Sequence, residues 1–372
     1  MTMLDQFQLW LGGFWPDWAA YLVPALVGII VILIFVLVMV IVFIYFERRM
    51  LGRFQIRLGP NRLGPEGIFQ PIATAVKVLL KEDIVPSSAD KVVHWLAPVI
   101  VFIPILLLFA VVPFQNGAIL ADLNVGIVYI VAISSISAVG IYMAGWASNN
   151  KYALIAALRT VAQLVSYEFP IVLSIVGVVL MTGSLSMTEI VRFQTVPFIL
   201  IQPLGFLIFF IGAVAEMNRS PFDLLEADSE IVAGYHTEYS GMKFALFYLG
   251  EYGHALAYSA IIATLFLGGW QGPLLPPIIW LLIKIMAVFF VIVWMRSTLP
   301  RFRIDQLMAF AWKGLLPLAI INLFIVAAEV VLMPKLSDIQ IWITVAINIP
   351  VSIILILLWS KFFTLGGGRV EV

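Results

Sequence analysis

Nine apolar stretches dominate this chain: Tyr21–Phe46, Trp95–Phe114, Gly126–Trp146, Val161–Met181, Phe198–Ala215, Phe244–Leu267, Leu274–Met295, Leu315–Met333 and Ile339–Trp359. A helix needs about 20 apolar residues to cross the hydrocarbon of a bilayer. The runs are continuous and do not alternate in the ten-residue segments of a membrane barrel. The expected fold is therefore all-α, a polytopic membrane protein of about nine transmembrane helices. Composition agrees: 63% of residues are hydrophobic and 11% charged, where soluble domains average about half and about a quarter. Residues 1–372 read as a single membrane domain, with 339–359 an extra C-terminal span. The first basic residue is Arg48, so the N-terminal region lacks the positive start of a cleaved signal peptide.

Basic residues set the orientation, because they stay on the inner side. With the N-terminus outside, the inner segments are 47–94, 147–160, 216–243, 296–314 and 360–372. These hold eighteen of the 21 basic residues; Arg192 and Lys335 fall outside and Lys284 within a span. The two long inner loops differ in character. Loop 47–94 is basic and contains Ile68, Ile72, Val76 and Leu79 or Leu80 at helical spacing, with Lys77, Lys81 and Glu82 off that line. It predicts an interfacial amphipathic helix over 68–83, whether as a simple surface anchor or as something more. On the outer side, 187–194 predicts a second short helix with Thr188 as its cap.

Loop 216–243 is the acidic one. Glu216, Asp223, Glu226, Asp228, Glu230 and Glu238 face only Arg219 and Lys243. Crowded carboxylates disfavour one another's ionisation and titrate as a unit. Interleaved Phe222, Leu224, Leu225, Ile231 and Tyr235 suggest a loop folded back toward the membrane rather than a solvated one. Within the spans, Glu168, Glu251 and Lys284 are costly to bury, and such groups mark ion paths or hold helices together as pairs. His254 lies one turn beyond Glu251. Glu329 is near a span end and can reach the interface.

Several functions are excluded. The 21 basic and 21 acidic residues balance, so no basic tail awaits nucleic acid. No cysteine is present, which removes disulfides, iron–sulfur clusters and thiolate metal sites. Three histidines, His94, His236 and His254, are too few for a pair of haems. His236 reads as a loop or proton-relay histidine rather than a metal ligand. No phosphate-binding glycine loop or zinc-protease motif occurs. The expectation is that no metal, haem or other cofactor binds this chain.

The run EMNRSPFDLLEADSEIVAGYHTEYSGMKFALFYLGEY at 216–252 resembles the signature loop of the quinone-site membrane subunit of respiratory complex I, the H-type subunit of bacteria and subunit 1 of mitochondria. Matching blocks are ERRMLGRFQIRLGPNRLGPEG at 47–67, KED at 81–83, WASNNKYALIAALRTVAQLVSYE at 146–168 and WMRSTLPRFRIDQLMAFAWKGLLP at 294–317. The resemblance covers about residues 20–335. Leu225 stands where the family's run has proline, and Asp228 where it has glutamate. The third span carries no acidic residue.

The resemblance implies a subunit of a proton-translocating NADH:quinone oxidoreductase, a translocase of the respiratory electron-transport chain, inactive alone. It implies a quinone entrance and chamber framed by Glu47, Arg48, Lys77, Glu82, Asp83, Arg296, Arg301, Arg303 and Asp305. It implies a proton path through Glu168, Glu216, Arg219, Asp223, Glu226, Asp228, Glu230, Glu238, Glu251 and Lys284. Quinone is then the substrate of the complex, with FMN and iron–sulfur clusters on partner subunits. The implied partners are the hydrophilic quinone-site subunits on the inner side, small membrane subunits alongside, and lipids. The implied location is a bacterial inner membrane rather than the mitochondrial one. Two other readings are the homologous anchor of a [NiFe] hydrogenase-type or ferredoxin-linked complex, and a stand-alone ion transporter.

Overall fold

The computed structural model describes residues 17–225, 234–332 and 338–366. The helices in chain order are α1 Asp17–Phe54, α2 Gln70–Leu79, α3 Lys91–Phe109, α4 Gly126–Ala147, α5 Lys151–Thr182, α6 Met187–Phe193, α7 Phe198–Ile201, α8 Pro203–Glu216, α9 Gly241–Phe266, α10 Pro277–Thr298, α11 Ile304–Leu332 and α12 Asp338–Gly366. A single π-turn, Phe310–Leu315, lies within α11. Among the described residues there is no named strand, and seven helices are long and apolar enough to cross a membrane. The chain is an all-α polytopic membrane protein.

The other two expected spans take unusual forms. The fifth is broken: Gln202 leaves helical geometry (φ −126°, ψ 65°) before Pro203. Proline removes an amide donor and pushes its predecessor out of the α region. The carbonyls around the break find side-chain donors: Asn348 Nδ2 donates to Ile201 O at 2.7 Å and Ser174 Oγ to Gly205 O at 2.6 Å. Gln202 Nε2 reaches Gly177 O at 3.1 Å. In hydrocarbon such freed backbone groups must be satisfied by neighbouring helices, and α12 contributes one of the partners. The α8 helix has 14 residues, about 21 Å, too short to cross alone.

The sixth span, α9, is long enough at 26 residues, but Lys243, Glu251, His254 and its small residues dilute its apolarity. Every residue from Tyr252 to Phe266 is buried. A helix enclosed on all sides lies in the core of a bundle, and α9 packs on α1, α2, α3 and α10. Around it, α3, α4, α5 and α8 follow in contact, with α11 on α5. The α1 helix is peripheral and exposes Leu22, Leu26, Ile29, Ile30 and Ile34.

Several expected boundaries move. The basic inner loop does not begin at 47, because α1 runs on to Phe54 and carries Glu47, Arg48, Arg49 and Arg53. Arginine propagates a helix well, and its stem lets the charge reach the interface. The α3 helix starts at Lys91, where Asp90 accepts the amides of Val92 (3.1 Å) and Val93 (3.4 Å). The α5 helix starts at Lys151, ten residues before the expected fourth span, where Asn150 caps it through the Tyr152 amide at 3.0 Å. The interfacial helix is Gln70–Leu79, inside the expected 68–83. The cap position of α6 is Ser186, not Thr188, whose hydroxyl instead donates to Asp122 at 3.1 Å.

Small residues bring the helices together. A Cβ on Gly145 of α4 would strike the Ala157 Cβ and come within 2.9 Å of the Ala153 carbonyl oxygen on α5. Backbone cannot rotate aside. Gly145→Val is expected to cost about 1–3 kcal/mol by overpacking, read as a lower thermal midpoint of the assembled complex. An unchanged midpoint would mean that the α4–α5 contact is looser than this.

Candidate functional site

The site is built where α8 ends. Beyond Glu216 the chain turns through Asn218 at φ 51°. Gln163 of α5 clamps the turn, its Nε2 donating to Ala215 O at 2.8 Å and Phe222 O at 2.7 Å. Phe222 then packs against the rings of Tyr167 (5.4 Å) and Phe302 (5.7 Å), and the Phe302 amide donates to Pro221 O at 3.1 Å. The acidic loop and the segment between α10 and α11 are thereby fastened together, and Arg219 is buried.

Arg219 is 2% exposed. Its Nη1 donates to both oxygens of Glu47, at 3.1 and 3.2 Å, and its Nε lies 3.2 Å from Glu251 Oε1. The guanidinium carbon sits 4.2 Å from the Tyr252 ring centroid. Arg296, near the C-terminal end of α10, also pairs with Glu47 Oε1. Two arginines and two carboxylates from α1, α9, α10 and the 217–225 turn thus neutralise one another. Burial alone would push the Arg219 guanidinium down, but Glu251 and Glu47 outweigh it and hold it well above its ordinary value. Its charge is permanent, so any charge change must fall on the carboxylates.

Glu251 faces two ways. It pairs with Arg219, and it also lines a cavity of about 30 Å³ shared with Glu216, His254 and Ser137. Glu216 is 7% exposed, and its Oε2 has no hydrogen-bond partner among the described residues. The Tyr258 hydroxyl and Glu168, half-buried on α5, both lie near the Glu216 carboxylate. Glu168 and Glu251, expected within spans, and Glu216, expected in the acidic loop, lie in one region.

Other expected residues fall on its rim. Asp223 pairs with Arg301 at 3.2 Å. Asp83 pairs with Lys243 at 2.9 Å, and Ser240 Oγ donates to Glu82 O at 3.0 Å, which ties the end of α2 to the start of α9. Glu238 accepts from Asn150 Nδ2 at 2.8 Å. Neighbouring Tyr239 stacks on His94 with ring centroids 4.0 Å apart, and burial raises its hydroxyl above the ordinary value. Arg48 is half-buried, while Lys77, Arg303 and Asp305 are exposed, with the Arg303 amide bonded to Gln306 at the start of α11. Glu226, Asp228 and Glu230 lie outside the described residues.

Lys284 stands apart. It is twelve residues before Arg296 on α10, about 18 Å along the helix. Its Nζ donates to Gly269 O at 2.8 Å and Gln271 O at 2.7 Å, which fastens the loop between α9 and α10.

Sequence reasoning missed Arg49, Gln163, Tyr252 and Tyr258. Arg49 pairs with Glu66 at 2.6 Å and so holds the turn before α2. A signal for Tyr258 was present: Glu251, His254 and Tyr258 recur at i, i+3 and i+7, one helical face. Among the described residues no group of three or more His, Asp or Glu is placed to hold a metal.

Comparison with known proteins agrees with this architecture. The profile of the family described as NADH dehydrogenase matches residues 27–327. The H-type subunit of the NADH-quinone oxidoreductase of Dehalococcoides mccartyi (strain CBDB1) is 60% identical over 362 residues, covering 97% of this chain and 100% of that one. An H-type subunit of Syntrophobacter fumaroxidans, the one numbered 2 in that organism, is 47% identical over 329 residues, covering 86% of this chain and 99% of that one. The H-type subunit of Brevibacillus brevis is 47% identical over 336 residues, with 88% and 97% covered. The chain therefore belongs to the NADH dehydrogenase family, as an H-type membrane subunit of the NADH-quinone oxidoreductase of complex I.

Proposed function

We propose that this subunit frames the entrance and part of the chamber for quinone, and carries the charge change of quinone reduction into the membrane. The observation that carries the reading is the double engagement of Glu251. One side is locked to Arg219 and, through it, to Glu47 and Arg296; the other borders the Glu216 cavity. Reducing a quinone to a quinol takes up two electrons and two protons, so it demands charge from its surroundings. A proton gained or lost by Glu251 changes its hold on Arg219. The same event is felt by Glu216 and Glu168 within the low-dielectric bundle.

The entrance is assigned to α2, which exposes Ile72, Val76 and Leu79 beside the Arg49–Glu66 turn. An apolar, interfacial face suits a long-tailed quinone arriving from lipid. Lys77, Glu82, Asp83, Arg48, Arg301, Arg303 and Asp305 belong to the same inner rim. Their charges suit the hydrophilic subunits that would bring FMN and iron–sulfur clusters. Small membrane subunits would flank the bundle, and Glu226, Asp228, Glu230 and Lys284 would extend the path. The proposed setting is a bacterial inner membrane, with N-terminus outside, nine crossings and C-terminus inside. In it α7 and α8 together supply the broken fifth crossing.

The test is Glu216→Gln in the assembled complex, with quinone reductase turnover and proton pumping measured in inverted vesicles. The expected result is turnover and pumping both reduced by about tenfold or more, with normal subunit content. Wild-type turnover with unchanged pumping would remove Glu216 from the path.

A further inference from the structure

His254 takes no part in the ion pairs around Arg219. It lies on α9 three residues after Glu251, so the two side chains project from nearly one face. It is 8% exposed, yet neither ring nitrogen has a hydrogen-bond partner among the described residues. Packing by apolar neighbours does not account for an imidazole here, because a buried polar group without a partner is costly. The residue borders the same cavity as Glu216, Glu251 and Ser137. At about 30 Å³, the cavity has room for one or two water molecules. Its polar wall offers the several partners a buried water requires.

We propose that His254 is a proton-relay residue that, with water held in this cavity, connects Glu216 to Glu251. This rests on the coupling role proposed for those two glutamates and adds the group that joins them. A neutral imidazole is suited to the task, since one nitrogen donates and the other accepts. It takes a proton at the bare nitrogen from a carboxyl group or water on one side. It releases the proton of the other nitrogen to the opposite side. Transfer in the reverse sense, or rotation of the ring, restores the first tautomer, and no charge remains on the ring. A carboxylate pair separated by a dry gap has no such connection. The arrangement also places the relay on the helix that holds the Arg219 partner, so proton arrival and release of that ion pair are one local event.

The test uses the assembled complex in inverted membrane vesicles and three substitutions. His254→Phe keeps ring volume and removes both nitrogens; His254→Gln keeps hydrogen bonding to water without proton exchange; His254→Ala opens room for added imidazole. For His254→Gln and His254→Phe the expected result is quinone reductase turnover lowered about tenfold or more, with the KM for quinone within about twofold. The solvent deuterium isotope effect on the residual turnover should rise. Imidazole should restore part of the activity of His254→Ala and none of that of His254→Phe. A purely structural histidine would not give this split or the imidazole rescue. Should His254→Phe fail to assemble, His254→Gln and the rescue decide. Wild-type turnover and isotope effect in His254→Gln would overturn the relay. If Glu216→Gln and Glu251→Gln are impaired while His254→Gln is silent, the relay alone fails. If all three are silent, the underlying path fails with it.

Discussion

Arg219→Met is expected to produce the largest loss of any single substitution at this site. The side chain is 2% exposed and faces two carboxylates at 3.1–3.2 Å. Removing one partner of a buried ion pair costs about 3–5 kcal/mol, mostly because the other charge is left uncompensated. Glu47 retains Arg296, whereas Glu251 loses the guanidinium that lies 3.2 Å from its carboxylate. The complex should assemble poorly, and the assembled fraction should lose essentially all quinone reductase activity. Adding Glu251→Gln to Arg219→Met should recover part of the assembly, since the carboxylate that faced Arg219 is then neutral, but not turnover. Arg219→Lys should fall between. One ammonium cannot reach Glu47 and Glu251 together and also lie over the Tyr252 ring as the planar guanidinium does. Subunit content by native electrophoresis and turnover per assembled complex separate the two effects. Normal assembly and turnover in Arg219→Met would show that the cluster is not a buried lock.

The helices easiest to read from the sequence are those whose signals are local. The third span is expected at Gly126–Trp146 and found at Gly126–Ala147, because a glycine-containing loop and a polar Ser-Asn-Asn segment bracket an unbroken apolar run. Charged helix ends mislead, since Arg48, Arg49 and Arg53 suit a helix as well as a loop and α1 simply continues through them. The break at Gln202 is hidden by apolar residues on both sides, although Pro203 marks it. At the site, residue types are legible and pairings are not. Arg219 and Glu47 are 172 positions apart, and no spacing rule connects them. Only packing of α1 against α9 and α10 brings the two together. The three acids Glu226, Asp228 and Glu230, central to the acidic loop in the sequence, fall outside the described residues, and the geometry that can be argued rests on Glu216 and Glu251 instead.

Gln163→Leu is the second substitution expected to matter most, although no titratable group is touched. Gln163 is fully buried, and its one amide group satisfies two main-chain carbonyls, at Ala215 and Phe222, on either side of Arg219. Leucine matches its size but takes one donor from each carbonyl, leaving Ala215 O with the Asn218 amide (3.1 Å) and Phe222 O with the Leu224 amide (3.2 Å). A buried hydrogen bond contributes about 0.5–1.5 kcal/mol net, and here two are lost together, with the side-chain link from α5 to the two ends of the turn that they supply. The turn from 216 to 222 is the element that aims Arg219 at Glu47 and Glu251, so a shift there is transmitted to the charge cluster directly. Rigid support of this kind governs catalytic geometry even at a distance from the reacting group. The expected outcome is a complex that assembles with a lowered thermal midpoint, a raised KM for quinone and turnover reduced about tenfold or more. Gln163→Glu tests the same point from the other side, because its carboxylate keeps the shape but cannot donate when ionised. It should be at least as damaging as leucine, since a carboxylate then stands against the Ala215 and Phe222 carbonyl oxygens. A leucine variant with wild-type KM, turnover and thermal midpoint would mean that the turn holds its shape without this clamp, and that Phe222 packing alone positions Arg219.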